Sequence, residues 1–481
     1  MSEQGERIPP VAADQESRQS GRLRALAVVL CVGLGVAAGP LDTAVNVAFP
    51  SITAAFGVDV DAIQWVVVSY VLTYSSLLLG FGRLADLYGH RRIFVIGIVW
   101  SIVALAGCGL AREFGWFLLA RFAQGVGTAL LLCTGPALMT LSFAPSERTK
   151  VLAWYALAFS VATASGPLAG GLLVEAFGWA GVFWFRIPVL LLALAGAFFV
   201  LPARGAASDA EPFDLFGALL LALTVVGVMA VMNQVGRGHL GLDVRTVGDL
   251  VPWLVLVAAL AAGAGFIARS LKSAAPIIDL RLFRVRLFAA ACGAHVLVNA
   301  ASFMIMLLVP FYLARTLEGE AQWIGLFLAM YPLGAVLASL LARRALERFG
   351  ALQLGQVSLL LAAAGLFAIS YWPAQWQALA VAGALLVHGV GYGLFQVVAV
   401  DIVMGTVPRS QQGIGGSLNM LTRTLGVVTG ASLGSLLFVA LGGSMAADTA
   451  TYLHAHAVVF ATAGGVTVLA VTALTWIAKD R

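Results

Sequence analysis

Fourteen apolar stretches, most of them close to twenty residues long, run through this chain of 481 residues. About twenty apolar residues are what a helix needs to cross a hydrocarbon core of about 30 Å. In lipid a helix also satisfies its backbone N–H and C=O groups within one segment. The stretches lie near 25–49, 62–82, 93–111, 116–140, 151–174, 181–203, 213–233, 250–268, 287–313, 321–342, 352–372, 378–404, 413–440 and 456–478. A chain patterned in this way is expected to fold as an all-α polytopic membrane protein. Composition points the same way: 61% of residues are hydrophobic and 11% charged, against about 25% charged in a soluble domain whose surface faces water.

The basic residues orient the spans. With the N-terminus in the cytosol, 21 of the 28 Lys and Arg fall in the tails and inner loops. Four (Arg112, Arg237, Arg245 and Arg315) fall in outer loops, and Arg121, Arg186 and Arg423 fall inside spans. This is the bias of the positive-inside rule, and it predicts both termini cytosolic in a cytoplasmic membrane. The net charge of +5 is therefore a topology signal. The cations form no stripe of the kind nucleic acid requires, so no nucleic-acid partner is expected.

Residues 1–24 are polar and read as a disordered cytosolic tail. Residues 25–203 hold six stretches, 204–286 a polar linker with two more, and 287–481 the last six. Six plus two plus six predicts two six-helix bundles joined by an inserted pair, as in secondary transporters built from repeats. Cys31, Cys108, Cys133 and Cys292 sit singly in apolar runs and imply neither disulfide nor metal. No P-loop of the GxxxxGK[ST] type occurs. Enzymatic activity, a cofactor and a metal are not expected; the partners implied are membrane lipid, protons and a small-molecule substrate, with the chain monomeric.

A few residues carry chemistry. Asp42 and Arg121 are charges inside apolar runs, which are costly in lipid and call for a partner. At 1.5 Å per residue Asp42 lies about 10 Å below the outer end of its span and Arg121 about 8 Å below the end of its own. Their depths match, and a pair is expected. Asn46, Gln124, Arg186, His295, Asn299, His388, Gln396, Asn419 and Arg423 are further polar residues in spans and candidate lining of a substrate cavity. Trp65, Tyr70, Tyr74, Phe303, Tyr331 and Tyr392 are candidates for its aromatic wall; His454 and His456 read as part of an outer loop. Asp401 reads as interfacial.

The loop after the second span reads Gly82-Arg83-Leu84-Ala85-Asp86-Leu87-Tyr88-Gly89-His90-Arg91-Arg92. It closely resembles the signature loop of the major facilitator superfamily, G-x3-D-x2-G-x-R-R, apart from Leu87, where a basic residue is usual. The resemblance implies that Gly82, Asp86, Gly89, Arg91 and Arg92 form a cytoplasmic latch between two halves. In the fifth span Gly166-Pro167-Leu168-Ala169-Gly170-Gly171 resembles the antiporter signature of that superfamily. With Asp42, Arg121 and the six-two-six layout, the chain from about residue 25 is similar to the fourteen-helix drug:proton antiporters, as are the segments Pro276–Phe283 and Asn419–Gly426.

There are departures. Where that family shows WRWxFxxNxP, this chain reads Trp179-Ala180-Gly181-Val182-Phe183-Trp184-Phe185-Arg186-Ile187-Pro188, with Arg186 in place of asparagine. Arg186 is expected either to stand unpaired, repelling cationic guests, or to pair with Glu175. No acid lies between Trp323 and Ala342, where relatives that export divalent cations carry one. The resemblance implies a proton-coupled antiporter exporting small lipophilic or cationic compounds by alternating access, monocations in preference to dications. A dedicated exporter of one endogenous metabolite, or a proton-coupled importer, shares the same scaffold.

Overall fold

The computed structural model describes residues 25–143, 147–201, 214–236, 247–273, 280–316, 320–373, 375, 377–406 and 412–478. The tail 1–24 and the linker segments 202–213, 237–246 and 274–279 lie outside them. The described chain is helical almost throughout. In order it forms α1 (Ala25–Val47), α2 (Phe49–Phe56), α3 (Val60–Tyr88), α4 (His90–Gly109), α5 (Phe114–Leu141), α6 (Arg148–Phe177) and α7 (Arg186–Phe199). The helices α8 (Leu215–Gly236), α9 (Val247–Lys272), α10 (Arg286–Thr316) and α11 (Ala321–Leu328) follow. The last four are α12 (Met330–Ser370), α13 (Ala378–Thr406), α14 (Gln412–Ala440) and α15 (Thr449–Ala478).

Among the described residues eleven helices are long and apolar enough to cross a membrane. The number is twelve if α2 and the start of α3, which meet at 112°, make one broken span. This count falls short of the fourteen crossings expected. The tenth and eleventh stretches are not separate: they run on as one helical segment, Ala321–Ser370, of 50 residues. At 1.5 Å per residue that is about 75 Å, more than twice a hydrocarbon core. It is broken at Gly350, whose φ of 74° and ψ of 161° only glycine adopts without a steric penalty. The seventh stretch is α8, which is not among the eleven.

Small residues set the packing, as they do where helices meet without a hydrophobic driving force. A Cβ added at Gly125 of α5 would lie 2.7 Å from the Tyr70 carbonyl oxygen of α3, and one at Gly97 of α4 would lie 2.9 Å from Leu130 Cβ of α5. The α8–α9 pair packs on itself, and α8 also packs on α3 and α14. Asp214 caps α8 by accepting the Gly217 N–H at 2.9 Å and pairs with Arg269 in the last turn of α9. The helices before residue 200 meet those after 286 mainly through α3 against α14 and α6 against α11. His454 and His456 are not in a loop. Both lie in α15, where His456 is buried and stacks on Tyr312 with ring centroids 5.0 Å apart.

Candidate functional site: a carboxylate shared by two arginines

The site begins where α1 breaks. Gly39-Pro40 ends the regular helix, since proline brings no N–H, and a single 3-10 turn over Pro40–Thr43 follows. Asp42 sits in that turn. Arg121 of α5 reaches it with both ends of its guanidinium: Nη1 donates to Oδ1 at 2.7 Å and Nη2 to Oδ2 at 2.8 Å. This is the bidentate geometry that makes arginine–carboxylate pairs strong. Arg121 is held in place by its Nε, which donates to the Val66 carbonyl at 3.0 Å, and by the Tyr70 ring, 4.5 Å from its guanidinium carbon.

A third group joins. Arg186, at the start of α7, donates from Nη1 to Asp42 Oδ1 at 2.8 Å and from Nε to the Val182 carbonyl at 3.0 Å. Gln124, one helical turn beyond Arg121, donates its Nε2 to the same oxygen at 2.9 Å and accepts from Arg121 Nη1 at 2.7 Å. A carboxylate offers about four acceptor positions, two on each oxygen. Here Oδ1 takes three N–H groups and Oδ2 takes one, so Oδ1 is crowded and one position on Oδ2 stays open. The expected Arg186–Glu175 pair does not form. Glu175 accepts the Ala321 N–H at 2.9 Å instead, linking α6 to α11.

Asp42 and Arg121 lie on the wall of a cavity of about 690 Å³ between the two sets of helices. Of the candidate lining residues, Asn46, Asn299, Gln396, Asn419 and Arg423 are on its wall, as are Tyr70, Tyr74, Phe303, Tyr331 and Tyr392. Gln124, Arg186, His295, His388 and Trp65 are not. Gln124 and Arg186 are buried behind Asp42 because they spend their donors on it. His388 is turned into the helix packing, where its Nδ1 donates to the Ala362 carbonyl at 2.9 Å and its Nε2 meets Ser302 Oγ at 2.9 Å. Trp65 packs against the core.

The far wall is polar and is hydrogen-bonded to residues behind it. His295 of α10 contacts Gln396 Oε1 at 2.6 Å through Nε2 and Thr422 Oγ1 at 2.8 Å through Nδ1. Tyr392 OH donates to Asn299 Oδ1 at 2.9 Å. Arg423 stands in this wall among Tyr74, Tyr331 and Tyr392.

The model of the Major Facilitator Superfamily matches residues 26–298 and again 291–481. The chain belongs to the major facilitator superfamily. Among curated proteins it is similar to the drug efflux pump JefA of Mycobacterium tuberculosis, 31% identical over 436 residues, which span 87% of this chain and 81% of that one. It is also similar to the riboflavin transporter RibZ of Clostridioides difficile, 26% identical over 412 residues, covering 85% and 88% of the two chains. The tetracenomycin C resistance and export protein of Streptomyces glaucescens is 27% identical over 425 residues, covering 87% and 77%. Among solved structures the peptide-transporter-family protein PepTSo superposes with a TM-score of 0.70 at 15% identity, over 95% of this chain and 98% of that one. The nucleoside transporter NupG superposes with a TM-score of 0.67 at 10% identity, over 94% and 99%. These two show the fold. The protein is a multi-pass membrane transporter of this superfamily, not an enzyme.

The remaining motif residues of the transporter fall into two groups. Gly166 and Gly170 of α6 abut Thr43 and Ala44, next to Asp42, and Thr43 Oγ1 donates to the Thr163 carbonyl at 3.1 Å. Gly171 faces α11: a Cβ there would lie 2.7 Å from the Ala321 carbonyl oxygen and 3.0 Å from Gly325 Cα. Pro167 lies within α6 between them, its carbonyl oxygen against Gly325. The string therefore joins the turn that carries Asp42 to the partner helix across the cavity. Gly325 gave no signal in the sequence, being one glycine among 53.

The second group is the loop between α3 and α4. Gly89, with φ of 94°, makes the turn, and Gly82 lies in the last turns of α3 against Cys133. Asp86 Oδ1 lies 3.3 Å from His90 Nε2, one turn further on. Arg91 donates from Nε to the Ala197 carbonyl at 3.1 Å and from Nη2 to that of Phe198 at 2.9 Å. It thereby satisfies carbonyls left open at the C-terminus of α7, where a cation is also favoured by the helix dipole. Arg92 is exposed. Among the described residues the nearest side-chain bond between the two sets of helices is Ser75 Oγ to Thr424 Oγ1, 2.7 Å, three turns before Asp86.

Proposed function

We propose that this transporter is a proton-coupled antiporter that exports small lipophilic compounds across the cytoplasmic membrane by alternating access. One observation carries the reading: Asp42, 12% exposed on the cavity wall, is one negative charge shared by two guanidiniums from different helices. Protonating it removes the charge that holds both, so protonation is tied to helix movement. At about 4 Å and an effective dielectric near 20, each charge pair is worth about 4 kcal/mol, enough to hold one arrangement against the other. One proton entering down 100 mV supplies about 2.3 kcal/mol.

The cavity geometry supports an inward-facing state. The α6–α11 contact at Gly171 and Gly325 closes one end. Ser339, on the cavity wall and exposed, lies about 21 Å further along the helical run. With both termini cytosolic, the open end faces the cytosol. Fourteen crossings follow if α2 and α3 count as one span, the run Ala321–Ser370 is divided at Gly350 and α8 is counted. The domains are then 25–203, 204–286 and 287–481, with the loop Gly82–Arg92 as the latch on the cytosolic side.

The similarity to drug efflux pumps and to an antibiotic export protein supports export of foreign compounds. The similarity to a riboflavin transporter supports a second reading, a carrier of one metabolite. The expectation of cationic cargo rested on Asp42 offering its charge to a guest, and two guanidiniums already share that charge. Purified protein in proteoliposomes with an imposed pH gradient separates these readings. Export requires substrate to move against the proton flux. Substrate moving with the protons would make the protein an importer, and indifference to the gradient would remove the coupling.

A further inference from the structure

The cavity has a surplus of positive charge. Its charged wall residues are Asp42, Arg121 and Arg423, and Arg186 lies directly behind Asp42. Three guanidiniums thus face one carboxylate, and that carboxylate is already shared by two of them. Arg186 Nη2 is buried without a hydrogen-bond partner among the described residues. The third cation, Arg423, has no ion pair or hydrogen bond among the described residues; its neighbours there are the phenols of Tyr392, Tyr74 and Tyr331. A partly buried cation without a counter-ion is costly, and among the described residues this wall carries no second acid. The compensating charge must come from solution or from the cargo.

The surroundings of Arg423 select the shape of that cargo. Tyr331 and Tyr392 stand edge to face with centroids 5.4 Å apart, and Tyr70 and Tyr74 do the same at 5.2 Å. Phe303 and Met306 add apolar surface to the same cavity. Flat π faces and edges of this kind stack on aromatic rings. Beside Arg423, Asn419 carries a buried Oδ1 without a partner; with the amide rotated by half a turn, the same position presents an N–H donor.

We propose that the transport cavity takes planar aromatic acids, with the carboxylate or phenolate paired to Arg423 and the ring system against Tyr331 and Tyr392. This rests on the cavity being the cargo site of the proposed exporter. A guanidinium–carboxylate pair is a strong, charge-assisted contact, and it replaces the missing counter-charge. Cationic analogues of the same ring meet only surplus positive charge.

Three probes with one ring system test it: 2-naphthoate, 2-naphthamide and 2-naphthylmethylammonium, titrated calorimetrically at neutral pH into the purified full chain in lipid nanodiscs. The expected result is naphthoate binding at least about tenfold tighter than the amide, and the ammonium weakest, as a charge-assisted pair predicts. Arg423→Gln should bring acid and amide to within about twofold of each other, while Arg423→Lys keeps part of the preference. Arg343→Gln, at an exposed position on α12, is the control. Equal or tighter binding of the ammonium by the wild-type protein would overturn the proposal, and so would an acid preference that survives Arg423→Gln. If Arg423→Gln fails to fold, the order of the three probes on the wild-type protein and on Arg423→Lys decides. Binding is read without a gradient, so naphthoate can bind as expected in a protein that proves to import, and the two readings fail separately.

Discussion

Arg186 Nη1 donates to Asp42 Oδ1 at 2.8 Å, across 144 positions of sequence, and so shares an oxygen that Arg121 already holds at 2.7 Å. Two guanidiniums converge on one carboxylate oxygen. They repel one another and are both held by the same negative charge, which makes Asp42 the point on which the arrangement of α1, α5 and α7 depends.

Asp42→Asn is therefore expected to do more than abolish coupling. It removes the counter-charge of two buried cations, a change that costs about 3–5 kcal/mol when one partner of a buried pair is lost. Thermal unfolding in detergent should show a marked drop, and gradient-driven export should vanish. Adding Arg186→Leu should restore part of the stability and none of the coupling. Wild-type export by Asp42→Asn would take Asp42 out of the mechanism.

Arg186→Asn installs the residue that related antiporters carry. It frees one acceptor position on Asp42 and deletes one positive charge beside the cavity. Efflux of a monocation should rise about tenfold relative to a dication of similar size, the scale of a single charge-assisted contact. An unchanged ratio, measured in cells lacking their own pumps, would assign Arg186 to structure alone.

Gly171→Leu should lock the closed end open. Its side chain has nowhere to go, because the nearest atoms are backbone: the Ala321 carbonyl oxygen and Gly325 Cα. Spin labels at the exposed positions Phe177 and Trp323 should report a longer distance by pulsed resonance than in the unsubstituted background, and turnover should fall at least about tenfold, the cost of overpacking a tight contact. An unchanged distance would show that α6 and α11 do not form the gate.

Asp86→Ala should slow turnover and leave cargo affinity within about twofold, since Asp86 lies outside the cavity lining and its described partner is His90. Arg91→Ala should act on stability as well. It strips the Ala197 and Phe198 carbonyls of their donors, at about 0.5–1.5 kcal/mol for each bond lost. Melting curves and export rates measured on the same preparations separate the two effects. A tenfold loss of affinity in Asp86→Ala with turnover unchanged would refute the latch.

How far the sequence reached follows from what a linear pattern encodes. Apolar runs of about twenty residues encode which segments lie in lipid, because the hydrocarbon core has a set thickness. Counting along a run also encodes depth, since every helical residue adds about 1.5 Å. Asp42 and Arg121 could be matched in advance for that reason alone. The expected boundaries held least well where helices run on or break for local reasons, as at Gly350 and at Gly39-Pro40. What depth does not encode is direction around the helix axis. Arg186 sits near both Glu175 and Asp42 in depth, and only the rotation of α7 against α1 decided for Asp42. Gln124 and His388, both polar and both in spans, turned away from the cavity because packing gave them partners elsewhere. Tyr392, Asn299 and Gln396 met on the far wall for the same reason. Depth is a property of one segment in a bilayer and is written along the chain. The facing of each side chain is settled by its neighbours, and those exist only once the helices have packed.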